Sequence, residues 1–272
     1  MKLRKQLREY LKHWGYKMFT IKSQAEIDKM RKSGEILYET LQIIKKNVVP
    51  GVTTKELDRI AEEHIVKNKA IPSFKGYDVG IPGVPPFPAS ICASLNQEVV
   101  HGIPSLKRLK DGDIISIDVG VYLNGYHADA ARTFAVGKVS DDAQRLIDVT
   151  RESFFEGLKQ MEVGNHIRDI SASIQSYAES KGFSVVRDFV GHGIGKDMHE
   201  PPEIPNYVTK RRGVQLEQGM VIAVEPMINA GAYSVRVLDN NWTVVTDDGS
   251  LSAHYENTVA ITENGPLILT KF

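Results

Sequence analysis

The sequence predicts an α+β fold in which two similar α-α-β-β halves place a central antiparallel sheet between outer helices. The first observation is an internal repeat, because residues 109–118 align with residues 216–225 and Leu, Gly and Ile recur at matching positions. The second observation is that the helix-breaking pairs Pro50-Gly51 and Val163-Gly164 precede similar stretches at nearly the same separation. A duplicated half would relate the two copies by a pseudo-twofold axis, and a site between them would lie on that axis.

The elements of the first half follow from capping and breaking signals. Ser23 and Glu26 predict a capping box at the start of a helix that reaches about Lys46. Val49-Pro50-Gly51 ends this helix, and Thr54 opens a second one. The other expectations are a helix from 55 to about 68, a loop rich in Gly and Pro over 71–90, short strands near 90–94 and 98–101, and a hairpin of strands 114–121 and 129–136.

The second half repeats this order. Helices are expected from Asp141 to about Gln160 and from Ile167 to Lys181. The expected strands lie at 184–189, 220–226, 232–237 and 255–262. No linker composition separates the halves, so residues 20–272 are expected to form a single domain that follows a basic extension over residues 1–19.

The composition excludes several classes of protein. With 42% hydrophobic and 25% charged residues, the chain can bury a substantial core and does not have a disordered composition. The formal net charge of zero does not indicate a polyanionic partner for the whole surface. Cys92 is the single cysteine, which excludes an intrachain disulfide and a thiolate zinc cage and is typical of a cytoplasmic protein. No apolar run reaches the roughly 18 residues of a membrane span.

The sequence of the basic N-terminal extension allows three interpretations. It carries six Lys or Arg residues against Glu9, and apolar residues recur in it at helical spacing. It could be a helix packed on its own domain, an arm that contacts RNA or another acidic surface such as the ribosome, or a frayed end.

Five potential metal ligands stand out in the middle and C-terminal parts of the chain. They are Asp118, Asp129, His192, Glu225 and Glu256. When the two copies of the repeat are aligned, Asp118 matches Glu225, and His127-Ala-Asp129 resembles His254-Tyr-Glu256. An acid on an apolar strand needs a partner or a metal ion. Four carboxylates and one imidazole suffice for two divalent ions, and such a ligand set suits Mn, Fe, Co or Zn.

The remaining reactive side chains leave alternatives open. His192 lies in Gly191-His-Gly-Ile-Gly195, where the glycines let the backbone approach a site closely. His101 and His199 are either structural or donors to a substrate carbonyl or amide. His127 and His254 flank the ligands and are expected to contact them rather than the metal. Cys92 is expected to line a pocket. The sequence contains no G-x-S-x-G elbow, so it does not indicate a serine hydrolase.

Seven motifs together resemble the type I methionine aminopeptidases of the pita-bread (creatinase/aminopeptidase) fold, from about residue 20 to residue 272. They are Asn96-Gln-Glu-Val-Val-His-Gly-Ile-Pro104, Asp118-x10-Asp129, Gly191-His-Gly-Ile-Gly195, Met198-His-Glu-Pro, Glu225-Pro-Met227, Asn241-Trp-Thr-Val-Val-Thr246 and Tyr255-Glu-Asn-Thr258. The resemblance implies removal of the initiator methionine from nascent chains when the second residue is small, by attack of a metal-bridging hydroxide on the first peptide bond. It also implies a monomeric enzyme in the cytoplasm.

The resemblance also implies roles for individual residues. The five ligands would hold two divalent ions from the set Co, Mn, Fe, Zn and Ni, with Asp129 and Glu256 bridging them and Glu225 shuttling a proton. His101 and His199 would bind substrate and stabilise the tetrahedral intermediate. The methionine pocket would be lined by Cys92, Met198, Met227, Trp242, Tyr77 and Phe87.

Two departures and three rival interpretations accompany the resemblance, and one of the rivals is a ribosome- or RNA-binding module built on the first 20 residues. The segment from Gly80 to Pro86 looks like an insertion beside the pocket, and the basic extension lies outside the minimal type I pattern. The stretch between His199 and Glu225 lacks the helical insertion of type II enzymes. An aminopeptidase P or prolidase is the enzymatic rival. A metal-free pita-bread protein that only binds a partner would be expected to lose ligands, and all five are present.

Overall fold

The computed structural model describes residues 19–271, and the basic extension, apart from Phe19, lies outside this range. The helices are α1 (Gln24–Asn47), α2 (Thr54–Lys67), α3 (Asp141–Leu158) and α4 (Ile167–Ser180). The strands are β1 (Ile71–Pro72), β2 (Ile91–Leu95), β3 (Glu98–Val100), β4 (Ile114–Leu123), β5 (Tyr126–Ala135), β6 (Ser184–Val185), β7 (Gly191–Gly193), β8 (Glu200–Ile204), β9 (Val221–Val224), β10 (Met227–Asn229), β11 (Val235–Val237), β12 (Val244–Thr246), β13 (Ser252–His254), β14 (Asn257–Thr262) and β15 (Gly265–Ile268). The predicted α+β class and the order of two helices followed by strands in each half are confirmed.

The helices of the first half begin close to the predicted residues. The Ser23 N–H donates to Glu26 Oε2 at 2.9 Å, so the predicted capping box is present. The cap of α2 is Thr53 rather than Thr54, because Thr53 Oγ1 accepts the Glu56 N–H at 3.1 Å. The two neighbouring threonines carry the same capping group, and only the backbone geometry distinguishes them.

The hairpin of β4 and β5 separates a core face from a site face. Residues 115, 117, 119 and 121 of β4 pack with α1 and α2 in one apolar cluster, as do Ala128 and Ala130 of β5. Asp118 and Asp129 point to the opposite face, because side chains alternate along a strand. Asp129 pairs with Gly120 in the ladder, which makes the two aspartates diagonal neighbours on that face.

In the second half the acid-bearing segments are adjacent in space but far apart in sequence. β9 pairs antiparallel with β14 up to Val224 and Asn257. The ladder then resumes in the same register between β10 and β13, where Met227 pairs with His254. Glu225 and Glu256 therefore face each other across the gap between the two ladders.

Hydrogen bonds join β5 of the first half to residues 254–258 of the second. Asp129 N–H donates to Thr258 Oγ1 at 2.9 Å, and Thr258 Oγ1 donates to Asp129 O at 2.9 Å. Glu256 N–H donates to Ala131 O at 2.9 Å. This seam brings the acids of the two halves together on one side of the strands.

Several strands were not expected from the sequence, namely β1, β7, β8, β10, β12, β13 and β15, and β1 lies within the segment 71–90 that was expected to be loop. Each of them has five residues or fewer, so an alternating pattern marks it only weakly. Of these strands, β7 is the most important for the site, because it carries the candidate ligand His192 and lies between β8 and β9 in the sheet. None of the helices between residues 19 and 271 has the length and apolar surface that a bilayer crossing requires.

Candidate metal centre and substrate pocket

Three of the five predicted ligands converge at the seam between the halves. One ligand atom each from Asp129, His192 and Glu256 lies within 4.8 Å of the other two. The His192 Nε2 atom is 3.7 Å from Asp129 Oδ2. All three residues are buried, with exposed fractions of 8% or less. The seam thus holds two carboxylates and an imidazole where water has little access.

The glycines beside His192 are required by close packing of the backbone. A Cβ atom on Gly191 would lie 2.3 Å from Ala223 O, and one on Gly193 would lie 2.2 Å from Pro201 O. The His192 ring is held by its Nδ1 atom, which is 2.9 Å from Gly193 O. That contact leaves Nε2 directed at the carboxylates, as is usual for a metal-binding histidine.

Asp118 and Glu225 complete the acidic cluster. Asp118 and Asp129 are diagonal neighbours on one face of the β4–β5 hairpin. Burial and the charge of Asp129 raise the pKa of Asp118, and burial and the charge of Glu225 raise the pKa of Asp129. Burial and the charge of Asp129 likewise raise the pKa of Glu256. Each acid is thus held where its own charge is unfavourable without a counter-charge.

The donor set fits divalent metal ions. Buried oxygen atoms of Asp118, Asp129 and Glu256 have no hydrogen-bond partner among residues 19–271. Buried polar atoms without partners are rare, and bound cations would satisfy these oxygens. Carboxylate oxygens with one imidazole nitrogen suit borderline and hard ions such as Mn, Fe, Co and Zn. The five predicted ligands could therefore hold such ions.

Glu225 lies beside a buried histidine. His254 Nε2 is 3.4 Å from Glu225 Oε2, and the His254 side chain is buried. The sequence pattern marked His254 as a neighbour of the ligands but did not indicate which acid it contacts. The matching residue His127 instead has its Nδ1 atom 2.9 Å from Ser73 Oγ and its ring against Tyr122.

The two histidines expected to handle substrate have different neighbours near the cluster. The His199 ring is 4.4 Å from the His192 ring, and its Nδ1 atom is 2.6 Å from the Tyr77 hydroxyl. Burial and the neighbouring histidines hold the pKa of His199 well below its usual value. Burial lowers the pKa of His101 to about 4, and its backbone has a φ of +58°. Both imidazoles are therefore neutral at pH 7.

Five of the six predicted pocket residues belong to one apolar cluster. It includes Cys92, Met198, Trp242 and Phe87, with Tyr77 packed against it. Cys92 pairs with Asp118 across β2 and β4, so this cluster adjoins the acids. Met227 differs, because it packs with Val99, Val100 and Val244 in a neighbouring cluster.

The segment from Gly80 to Pro86 covers this apolar cluster. Phe87 N–H donates to Tyr77 O at 2.8 Å, which closes the loop at its base. Pro85 O accepts the Trp242 indole N–H at 2.9 Å. Val84 packs against the cluster, so the loop forms part of its outer wall.

Three residues near the acids carried no clear signal in the sequence. Thr258 bridges both halves through Asp129, and Arg132 donates to the carbonyl of Glu256. Tyr77 was expected only as pocket lining, yet its hydroxyl contacts His199. The one sequence feature that pointed to Arg132 was its basic side chain, three residues after the candidate ligand Asp129 on a strand.

The fold and the site define the protein as a metallopeptidase. Residues 28–263 match the sequence profile of metallopeptidase family M24, and the chain belongs to that family. Its candidate ligands are of the residue types that could bind the metal ions of such an enzyme.

Within this family the chain groups with the methionine aminopeptidases. It is 59% identical over 253 residues to the methionine aminopeptidase of Clostridium perfringens, covering 93% of this chain and 99% of that protein. It is 52% identical over 254 residues to methionine aminopeptidase 1 of Bacillus subtilis, covering 93% of this chain and 100% of that protein. The crystal structure of the Thermotoga maritima methionine aminopeptidase superposes with a TM-score of 0.89 at 43% identity, covering 94% of this chain and 100% of that one. The resemblance drawn from the motifs is confirmed.

Proposed function

We propose that this site removes N-terminal methionine from peptides and nascent proteins whose second residue is small, using two divalent metal ions. The single observation that carries the proposal is the convergence of Asp129, His192 and Glu256, with partnerless buried oxygens, beside an apolar cluster rich in sulfur and aromatic rings. Asp118 and Glu225 complete the ligand set. Metal ions bound there would supply Lewis-acid activation of a water molecule and of the scissile carbonyl.

Glu225 moves the proton in this proposal. Its carboxylate accepts a proton from the attacking water and returns it to the leaving amine. His254 Nε2, 3.4 Å from Glu225 Oε2, keeps that carboxylate in place. A general base must lie within hydrogen-bond reach of the proton that it moves.

His199 and His101 stabilise the charge that develops on the substrate. The Tyr77 hydroxyl lies 2.6 Å from Nδ1 of the neutral His199 ring, and we assign the tautomer in which the hydroxyl donates to Nδ1 and Nε2 carries the ring proton. His199 can therefore donate a hydrogen bond from Nε2. His101, also neutral, lies beside Trp242 with ring centres 6.2 Å apart, at the junction of pocket and acids. Such donors contribute a few kcal/mol to the transition state.

The apolar cluster selects the methionine side chain. Burial and the charge of Asp118 raise the pKa of the Cys92 thiol well above its usual value, so Cys92 remains a neutral, soft contact. Thiol, thioether and aromatic groups accept a flexible thioether well. The Phe87 and Trp242 rings meet edge to face, with centres 5.1 Å apart, and stiffen the wall.

A peptide assay tests the proposal. Full-length protein loaded with Mn²⁺ should release methionine from Met-Ala-Ser, EDTA should abolish the release, and Mn, Co or Fe should restore it. Glu225→Gln should remove nearly all turnover, whereas Glu263→Gln, which changes an exposed acid in a turn, should not. Metal-loaded protein that leaves Met-Ala-Ser intact would contradict the proposal. Cleavage of an X-Pro peptide instead would favour the prolidase reading.

A further inference from the structure

Arg132 is a half-buried cation that the proposed reaction does not use. Its Nη1 atom donates to Ala131 O at 2.8 Å and to Glu256 O, and its Nη2 atom donates to Asn257 Oδ1 at 2.7 Å. Its guanidinium carbon lies 4.2 Å from the centre of the Tyr255 ring. Enclosing a charge costs free energy unless hydrogen bonds hold it. Here carbonyl oxygens, an amide and an aromatic ring hold it.

The partners of Arg132 flank the ligands that meet at the seam. Arg132 follows Asp129 by three positions on β5, and its partners come from residues 255–257 around Glu256. Ala131 O accepts both from Arg132 and from the Glu256 N–H. One guanidinium therefore bonds to backbone on both sides of the seam.

The direction of the Arg132 side chain suits a supporting role. Arg132 lies two positions from Ala130, which faces the helices, and one position from Ala131, which faces the site. It therefore reaches the seam from the face of β5 opposite the site and leaves the carboxylates of Asp129 and Glu256 free. The planar fork of arginine makes several directed hydrogen bonds that lysine cannot reproduce.

We propose that Arg132 is a positioning residue that fixes the separation of Asp129 and Glu256 and thereby sets the affinity of the site for divalent metal ions. Loss of the fork would let residues 255–257 shift relative to β5, and the two acids would no longer be preorganised for a shared ion. This inference rests on the proposed function, since it requires that these carboxylates bind metal.

Titration of Mn²⁺ into metal-stripped full-length protein by calorimetry tests the inference. Arg132→Met keeps the length of the side chain and should weaken Mn²⁺ affinity by about 10- to 100-fold, the usual loss when a supporting partner of a ligand is removed. Arg132→Lys should fall between Arg132→Met and the wild type. At saturating Mn²⁺ the KM for Met-Ala-Ser should match the wild type, while the Mn²⁺ concentration for half-maximal activity should rise.

Arg145→Met is the matched control. Arg145 on α3 also lies over an aromatic ring, 5.0 Å from the Phe183 centre, and also donates to a backbone carbonyl, that of Lys181. It contacts no candidate ligand, so its loss should leave Mn²⁺ affinity unchanged even if the unfolding temperature falls.

The outcomes separate the two proposals. Wild-type Mn²⁺ affinity in folded Arg132→Met would overturn the inference alone and leave Arg132 a structural residue. If Arg132→Met does not fold, Arg132→Lys carries the test, and wild-type affinity in that variant overturns the inference. A wild-type protein that binds no Mn²⁺ would overturn both the proposed function and the inference.

Discussion

The two halves present their acids in different backbone settings. In the first half, Asp118 and Asp129 lie inside two continuous strands that a tight turn joins. In the second half, Glu225 and Glu256 lie in a gap between two ladders, with β10 to β13 inserted between them in the chain. The pairing register is the same on both sides of that gap, so the acids still face each other. The acid-bearing segments of the second half therefore keep one pairing register but, unlike those of the first half, do not form continuous strands.

The histidines that precede the second acid of each half also differ. His254 reaches the carboxylate of Glu225, whereas His127 is held by Ser73 and Tyr122 at the edge of the site. Burial lowers the pKa of His127 to about 4, which keeps that ring neutral. His127 and His254 therefore occupy matching positions in the repeat but have different neighbours. Of the two, His254 lies beside Glu225, the proposed proton shuttle.

The largest expected effect tests whether the halves contribute equally to metal binding. Asp129→Asn and Glu256→Gln each keep the shape of a ligand and remove its charge. Both should lower kcat/KM for Met-Ala-Ser by about 1,000-fold, because the metal supplies several kcal/mol and each 1.36 kcal/mol is tenfold. Metal content by mass spectrometry should fall in parallel.

Asp142→Asn, at an exposed position near the start of α3, is the control and should retain activity. A loss of less than tenfold in either site variant would show that only one half is needed to bind metal. The functional equivalence of the two halves would then be wrong.

An intermediate effect should distinguish the two histidines. His254→Ala should lower kcat by about 10- to 100-fold, because it removes the group that orients the Glu225 carboxylate. His127→Ala should cost less than about tenfold, since one hydrogen bond to Ser73 contributes only about 1 kcal/mol. Steady-state kinetics at saturating metal would measure both, and equal losses would remove the proposed asymmetry.

The smallest effect concerns an ion pair that joins the halves away from the acids. Lys22 Nζ before α1 lies 2.7 Å from Glu200 Oε2 on β8, and both side chains are buried. Burial raises the pKa of Glu200, but hydrogen bonds from Lys22 and Thr20 and the charge of Lys22 outweigh it, so the net pKa is lowered. Stability from this pair is present above the unfolded pKa of about 4.3 and is lost as the pH falls through the folded pKa.

Unfolding temperatures measured from about pH 7 to about pH 3, below the unfolded pKa of the carboxyl group, would check this effect. Glu200→Gln should be less stable than the wild type at neutral pH, and the difference should shrink as the pH falls. Glu179→Gln, which changes an exposed acid, should show no such convergence. A difference that stays constant with pH would assign the contribution of Glu200 to packing instead of charge.

Much of the site could be predicted from local patterns. Asp118 and Asp129 lie on one hairpin, so alternation and a short turn suffice to place them on the same face. Glu225 was predictable through its repeat partner Asp118. The Thr53 cap, the strand under His192 and the partner of His254 were not predictable, because each depends on a segment distant in sequence or on backbone geometry that short Gly-rich stretches do not reveal.

By itself the sequence determined the four helices, the β4–β5 hairpin, the identity of the five candidate ligands and the family, since local periodicity and spaced motifs carry that information. The tertiary structure alone decided that Asp129, His192 and Glu256 converge, that Met227 packs in a separate cluster from Cys92, and that Arg132 spans the seam. The physical reason is that such contacts depend on how segments far apart in the sequence pack and pair, which no short-range pattern encodes.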